Sequence, residues 1–359
     1  MSVLDSMDAK PSRVIEIRDD EVGLDAVVVI DHELFAKSAG GTRMIPDVTT
    51  DEVARLARAM TWKLAVAHVP YAGAKAGIRF SGGDRAAILA AYLARIQEIE
   101  GFLTGPDMGT YPDDFPHDHA GGDTPPPLWS QSFGDMAMDD LAVGRGILGG
   151  ARATLERLGR PVEGAAIAIE GFGKAGAGTA KAMHDAGARV VAVSTIEGAL
   201  LAPDGLDVPA LLRLRREHGD RLVHESGLVV HPREAVFGVE CDVLVPGARP
   251  DVITPESVPT LRAPAVVPAA NIPYARGAVE ALHDAGILAL PDFVTNAGGV
   301  HLYEAPPCRE DDPEACLDAV ERLVGETTAR VLDAAAAAGS TPTDAALEVA
   351  RGFLRSARA

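Results

Sequence analysis

Two lysines twelve residues apart, Lys63 and Lys75, and one aspartate, Asp107, are the side chains whose types and settings could do proton chemistry. The chain uses arginine for most of its basic positions; lysine occurs only at 10, 37, 63, 75, 174 and 181. A buried lysine can give up its proton, whereas arginine effectively cannot. Lys75 lies in PYAGAKAGI (70–78), where every other residue is uncharged and most are small. Such a stretch lets backbone or ligand come close to the ammonium group. Burial and a second cation such as Lys63 both disfavour a charged amine, which suits a group that exchanges a proton near neutral pH. Asp107, in GPDMGT (105–110), would be the second proton carrier. The plain alternatives are a turn lysine for Lys75 and a helix-capping turn for Asp107.

These residues need elements to hold them. Residues 12–35 read as two extended segments, RVIEIRD and LDAVVVIDHEL. Residues 49–66 read as a helix, because Thr49 and Glu52 fit a capping box. Val53, Leu56, Ala57, Met60 and Leu64 then form its apolar stripe. Lys63, seven residues after Leu56 and three after Met60, lies along that stripe, an odd place for a solvated charge. The Pro-, Gly- and Asp-rich segment 111–130 reads as a loop and a domain edge. Asp113, Asp114, His117, Asp118 and His119 fall in it, but nothing fixes their spacing on one element, so no metal site is expected.

From about 136 the pattern becomes short apolar runs alternating with helices. A helix around 141–159 leads to AAIAIE (165–170), and ARVVAVS (188–194), CDVLVPG (241–247) and PAVVPAA (264–270) follow as strands. This alternation predicts a parallel, doubly wound α/β sheet, and the Ala-rich tail from about 316 reads as helical. Directly after AAIAIE, Gly171, Gly173 and Gly176 make GxGxxG at the start of a helix, the setting a dinucleotide fingerprint requires. The first glycine permits the turn, the second lets a pyrophosphate approach, and the third lets helix pack on strand. The free N–H groups of the helix start then face the phosphates. The next strand ends in Ser194 and Thr195 where an acid for the adenosine ribose is expected, with Glu197 just after. NAD versus NADP therefore stays open, with a slight inclination to NAD.

Composition narrows the class. The chain has 359 residues, enough for two domains, and 47% hydrophobic content, which predicts packed globular structure. A net charge of −19 argues against nucleic acid or an anionic membrane as partner. No apolar run reaches the roughly 18 residues of a membrane span, and the N-terminus has no apolar signal region. Cys241, Cys308 and Cys316 form neither a disulfide framework nor a zinc pattern. A reduced cytoplasmic protein is the expectation.

Taken in order, AGGTRM (39–44), MTWK (60–63), PYAGAKAGI, GPDMGT, GFGKAG (171–176), ANIP (270–273) and PDFVTNAGGV (291–300) resemble the amino acid dehydrogenase superfamily of glutamate, leucine, phenylalanine and valine dehydrogenases. The resemblance runs from about Gly40 to Val300. It implies two α/β domains with a cleft between them. Residues 1–135 would form the substrate domain, rejoined by C-terminal helices 325–359, and 136–324 a Rossmann-like NAD(P) domain. The implied reaction is reversible oxidative deamination of an L-amino acid to a 2-oxo acid and ammonia, in a homo-oligomer.

By the same resemblance, Lys63 would bind the substrate α-carboxylate. Lys75 would hydrogen-bond the reacting oxygen and the attacking water, and Asp107 would shuttle protons to and from the amino group. Ala39, Gly40, Gly41, Met44 and Tyr303 would shape the substrate pocket. Asn296 would line both substrate and nicotinamide. Gly171, Phe172, Gly173, Lys174, Ala175, Gly176, Ser194, Thr195, Ala248 and Asn271 would surround the cofactor. Glutamate enzymes carry a lysine where this chain has Ala39, and a serine at the position of Tyr303. Without that cation a glutamate side chain loses its ion pair, so an uncharged substrate is expected, with glutamate the alternative. Val143 replaces a threonine common near the nicotinamide. This change, with Thr195 and Ala39, leaves open a catalytically degenerate homologue that binds nucleotide or amino acid in a regulatory role. A third reading is an unrelated Rossmann enzyme.

Overall fold

The computed structural model describes residues 10–115, 128–310 and 312–358. They divide into two compact units. One runs to Ser130 and takes up the chain again from Leu347; the other is Gln131–Ala346.

The first unit is built on β1 (Arg13–Asp19), β2 (Leu24–Ile30), β3 (Ser38–Ala39), β4 (Thr42–Ile45), α1 (Thr50–Val66), β5 (Ala72–Arg79), α2 (Arg85–Ile96) and β6 (Phe102–Leu103). The sheet order is β1-β2-β5-β3-β6, with β4 also paired to β5. β1 and β2 form an antiparallel hairpin, β2 runs antiparallel to β5, and β3 and β4 run parallel to β5. PYAGAKAGI is thus no turn; most of it is the central strand, buried almost throughout, with Lys75 opposite Val29. The small residues admit neighbouring backbone. A Cβ on Gly73 would lie 2.2 Å from the Thr61 nitrogen of α1, so helix and strand touch without a side chain between them.

The predicted cap forms: Thr49 accepts a hydrogen bond from the Glu52 N–H, and Val53, Leu56, Ala57 and Leu64 are buried. Lys63 is buried on the same helix. Asp31 at the end of β2 anchors α1 by accepting from Arg58 Nε at 2.7 and 2.8 Å and from Thr61 Oγ1 at 2.6 Å. The C-terminal stretch of α11 (Pro342–Arg358) belongs here from Leu347. Phe353 stacks on His68 with ring centroids 5.1 Å apart, and Arg351 lies over Trp62.

The second unit opens with a small hairpin, β7 (Ser132–Phe133) and β8 (Met136–Ala137), and then α3 (Met138–Arg157). Its sheet takes β9 (Ala166–Glu170), β10 (Arg189–Thr195), β11 (Gly198–Leu201), β12 (Val230–His231), β13 (Val243–Pro246), β14 (Ala265–Val266) and β15 (Leu288–Ala289) in the order β12-β11-β10-β9-β13-β14-β15. Between these strands lie α4 (Lys174–Asp185), α5 (Val208–His218), α6 (Leu222–Glu225) and α7 (Ala278–Asp284). Past β15 come α8 (Asp292–Thr295), α9 (Gly298–Glu304) and α10 (Pro313–Ala338).

The five strands β10, β9, β13, β14 and β15 are parallel, as the alternation predicts. The sheet as a whole is mixed, because β11 and β12 add an antiparallel arm. Those strands are too short to read in sequence, and PAVVPAA shrinks to a two-residue strand between prolines. The unit boundaries fall at 130/131 and 346/347, where the sequence reading placed 135/136 and 324/325; α10 packs along α3 and stays with the second unit.

The expectation of three unpaired cysteines is corrected here. Cys308 and Cys316 form a disulfide, because the turn after α9 and the start of α10 bring their Cα atoms to 4.5 Å. Cys241 remains free. Among the described residues no helix is long and apolar enough to cross a membrane, and no group of acidic, His or Cys side chains could hold a metal ion. His117, Asp118 and His119 lie outside the described residues; Asp114 pairs with Arg85 at 2.6 Å.

His301 on α9 is buried, and burial together with Arg322 and Arg330 pushes its pKa down to about 4. An unfolded histidine titrates near 6.5. Between those values the unfolded chain binds the extra proton, so stability is lost as pH falls from about 6.5 towards 4. Urea unfolding of the second unit should show a loss of about 2 kcal/mol from this residue between pH 7.5 and pH 5. The H301Q variant should lose that part of the slope; an unchanged slope would contradict the assignment.

Candidate active site

In the first unit the site is the place where three sequence motifs cross. GGTRM becomes β4 and the residues just before it; PYAGAKAGI is β5; GPDMGT is the loop after β6. Backbone hydrogen bonds lace the first to β6 and the third: Gly40 N–H to Leu103 O, Thr42 N–H to Gly105 O and Met44 N–H to Met108 O. Thr110 locks the loop, donating from Oγ1 to Thr42 O at 2.8 Å and accepting from the Asp107 N–H at 2.8 Å. The glycine pair is required by close approach. A Cβ on Gly40 would fall 1.6 Å from Ala74 O, and one on Gly41 would lie 3.0 Å from Asp107 Cβ and 3.4 Å from Lys75 Nζ.

The result is a tight ion pair. Lys75 Nζ lies 2.7 Å from Asp107 Oδ2, with Lys75 6% exposed and the Asp107 side chain 17%. Arg43 Nε donates to the same oxygen at 3.2 Å, and its Nη1 donates to Glu52. Burial works against the Asp107 charge, but Lys75 and Arg43 outweigh it and hold the carboxyl well below the usual carboxylate range. The sequence reading gave Lys75 both Lys63 and Asp107 as partners; the structure brings Asp107 against Lys75 and adds Arg43. Asp107 is therefore ionised at neutral pH. Arg43 and Thr110 were missed by the sequence reading. The signal for Arg43 was an arginine inside a short apolar strand, for Thr42, Arg43 and Met44 are all buried.

In the second unit the other half of the chemistry lies at the carboxyl end of β9. The chain leaves β9 for β10 on one side and returns to β13 on the other, so β9 marks a switch point, where ligands of such sheets bind. Gly171 has φ +90°, and a Cβ there would lie 2.6 Å from Ala248 Cβ. A Cβ on Gly176 would meet Gly171 O at 1.8 Å, so α4 rests directly on the turn. A Cβ added at Gly173 would meet nothing within 4 Å. Gly173 is also the N-cap of α4 and offers no capping side chain, leaving first-turn N–H groups for an anion. This cradle fits a dinucleotide pyrophosphate. Phe172 is buried in the core beneath it, with Ala175 packed against the same core, and Lys174 opens the helix.

Ser194 and Thr195 use their hydroxyls inward. Ser194 Oγ accepts from the Gly171 N–H at 3.0 Å; Thr195 Oγ1 donates to Asp220 O at 2.9 Å. Glu197 lies 3.5 Å from His224. Glu170, the last residue of β9, receives the N–H groups of Gly247 and Ala248 at 3.1 and 3.0 Å and holds that loop beside the fingerprint. Burial pushes the Glu170 carboxyl up, against those two donors and Arg249. A charged residue ending an apolar run was its overlooked signal.

Asn296 Nδ2 donates to Asn271 Oδ1 at 3.0 Å and to Ala270 O at 3.3 Å. Its Oδ1 is buried and has no hydrogen-bond partner among the described residues. A buried orphan acceptor is costly unless a ligand satisfies it, and an amide or ammonium donor would. Beside it Ile272 holds φ +48°, unusual for a β-branched residue. The Asp292 carboxylate accepts its N–H at 2.9 Å and keeps the ANIP loop in place. Tyr303 on α9 is largely buried, and burial, then the charge of Asp139, pushes its phenol far up, so it stays neutral.

Comparison with known proteins gives the family. Residues 134–304 match the family model described as Glutamate/Leucine/Phenylalanine/Valine dehydrogenase. Residues 11–117 match the Glu/Leu/Phe/Val dehydrogenase dimerisation domain. A glutamate dehydrogenase of Thermotoga maritima is 34% identical over 281 residues, covering 73% of this chain and 67% of that protein. The hetero-hexameric glutamate dehydrogenase of Thermus thermophilus, in a leucine-bound form, superposes with a TM-score of 0.83 at 26% identity, over 97% of this chain and 89% of that one. The L-tryptophan dehydrogenase of Nostoc punctiforme shares the fold, with a TM-score of 0.68 at 23% identity and 97% coverage of both chains.

Proposed function

The chain belongs to the Glu/Leu/Phe/Val dehydrogenase family and is an NAD(P)-dependent amino acid dehydrogenase acting on the CH–NH2 group; we propose that its substrate is an L-amino acid with an uncharged aliphatic or aromatic side chain. The observation that carries the chemistry is the buried Lys75–Asp107 pair at 2.7 Å. The reaction converts the amino acid and water to a 2-oxo acid and ammonia. Lys63 holds the α-carboxylate. Asp107, already ionised, takes a proton from the substrate ammonium, and Lys75 steadies the reacting oxygen. The bound dinucleotide supplies the acceptor for the Cα hydride. Lys75 then directs water onto the iminium carbon, and Asp107 returns its proton to the departing nitrogen. Asn296 Oδ1 is assigned to a donor on the nicotinamide amide or the substrate amine. NAD is the favoured form, with Glu197 the acid nearest in sequence to the strand end that reads the ribose.

The preference for an uncharged side chain rests on Ala39. Its register neighbours in the sheet are Gly73 and Leu103, both apolar. Lys37, the nearest lysine in sequence, is exposed and lies 5.5 Å over the Tyr71 ring. No cation is thereby supplied from β3 to a substrate carboxylate. Initial rates of nicotinamide reduction with both cofactors should favour L-leucine, L-valine or L-phenylalanine over L-glutamate by at least about tenfold. Equal or faster turnover of L-glutamate would sink the proposal and establish the glutamate reading. We extend the oligomeric character of the matched domain and of the Thermus enzyme to this chain as a homo-oligomer, which sedimentation would measure.

A further inference from the structure

We propose that Arg43 is a positioning residue for Asp107, and that Glu52 behind it regulates how readily Asp107 takes a proton. The inference rests on the amino acid dehydrogenase reading above, in which Asp107 carries that proton.

Arg43 has no role of its own in the deamination steps, yet it is one of the most completely buried cations of the first unit, at 6% exposure. Its guanidinium is shared along two edges. Nε donates to Asp107 Oδ2 at 3.2 Å, and Nη1 donates to Glu52 Oε1. A planar fork can serve two carboxylates at once. Glu52 stands in the first turn of α1, where the helix N-terminus favours a negative charge. The charged groups facing Asp107 are thus Lys75 from β5 and Arg43 from β4, with Glu52 from α1 behind Arg43. Two cations and two anions balance.

Proton transfer disturbs that balance. When Asp107 accepts a proton, the four groups carry one net positive charge. Glu52 is the anion that stabilises Arg43 at that moment. Removing its charge leaves two uncompensated cations and makes protonation of Asp107 harder. Removing the charge of Arg43 leaves Lys75 alone against Asp107 and makes protonation easier. The two substitutions therefore act in opposite directions, whereas a merely structural contact would give two losses of the same kind.

The test has two arms on the whole protein. In protein carrying 13C-labelled aspartate carboxyls, the Asp107 resonance is identified by its absence in D107N. Its midpoint should rise by at least about one pH unit, a tenfold gain in proton affinity, in R43M relative to wild type. In E52Q it should stay at or below the wild-type midpoint. R43K keeps the charge and should restore a midpoint close to wild type. In the kinetic arm, the acidic limb of kcat/KM with the best amino acid should move up in R43M, and kcat should fall in E52Q. An R43M midpoint equal to wild type, or an E52Q midpoint that rises, overturns the proposal. If R43M does not fold, R43K and E52Q decide: R43K must hold the midpoint and E52Q must not raise it. Wild-type protein that reduces no nicotinamide with any amino acid would defeat the dehydrogenase reading alone, because the carboxyl titration does not need turnover.

Discussion

Replacing Lys75 by alanine should lower amino-acid-dependent nicotinamide reduction on the order of a thousandfold while leaving dinucleotide binding intact. The size follows from what the side chain does. General acid–base assistance is worth about 10²–10⁴ in rate, and Lys75 also orients Asp107 through a 2.7 Å ion pair. Without the ammonium, Asp107 keeps only Arg43 as a charged neighbour, and the water on the iminium loses its guide. The D107N variant should fall by a similar factor, because the proton carrier itself is gone. The double variant should be scarcely worse than either single one, since groups that act as a unit are not additive. Dinucleotide affinity, read by quenching of intrinsic fluorescence, should stay within about twofold in K75A, because the phosphate cradle lies wholly in the second unit. A K75A enzyme with wild-type kcat would remove Lys75 from the chemistry.

How much of this was legible in the sequence depends on the kind of signal. α1 was legible because a side-chain cap and an apolar stripe are local facts, and Thr49 and Glu52 form the cap as read. The β9 turn was legible because Gly171 and Gly176 answer backbone requirements and Gly173 leaves an open approach between them. PYAGAKAGI was harder. A strand buried on both faces has no alternation to read, and its alanines and glycines look like a loose turn until α1 is laid against them. The small residues were read as room for substrate; Gly73 under Thr61 makes them room for a helix. Arg43 was overlooked because its two partners lie 9 and 64 residues away, and no spacing rule joins them. Ser194 and Thr195 stand where an acid for the adenosine ribose was expected. Their hydroxyls turn to Gly171 and Asp220, a choice set by three-dimensional neighbours. The Cys308–Cys316 pairing depended on how a turn and a helix start meet, which a sequence separation of 8 does not reveal.

Two glycines of the fingerprint separate packing from ligand binding. In G176A the new methyl would fall 1.8 Å from Gly171 O, so α4 must move off the turn. Overpacking of that kind costs about 1–3 kcal/mol, and the displaced helix start no longer aims its N–H groups at the phosphates. Both thermal stability and dinucleotide affinity should drop, the affinity by at least about a hundredfold. G173A differs. No atom lies within 4 Å of its added Cβ, and its φ of −79° suits alanine. Stability should therefore change little, since alanine loses less backbone freedom on folding than glycine but is the poorer N-cap. Affinity should still fall, because the methyl occupies the space through which the pyrophosphate approaches the helix N-terminus. Calorimetric titration with NAD and NADP, together with thermal unfolding, measures both quantities. A G173A protein that is stable and binds as tightly as wild type would show that the open space at Gly173 is not where the phosphates sit. Loss of binding without loss of stability would assign that space to the cofactor, because the added methyl meets no other part of the protein within 4 Å.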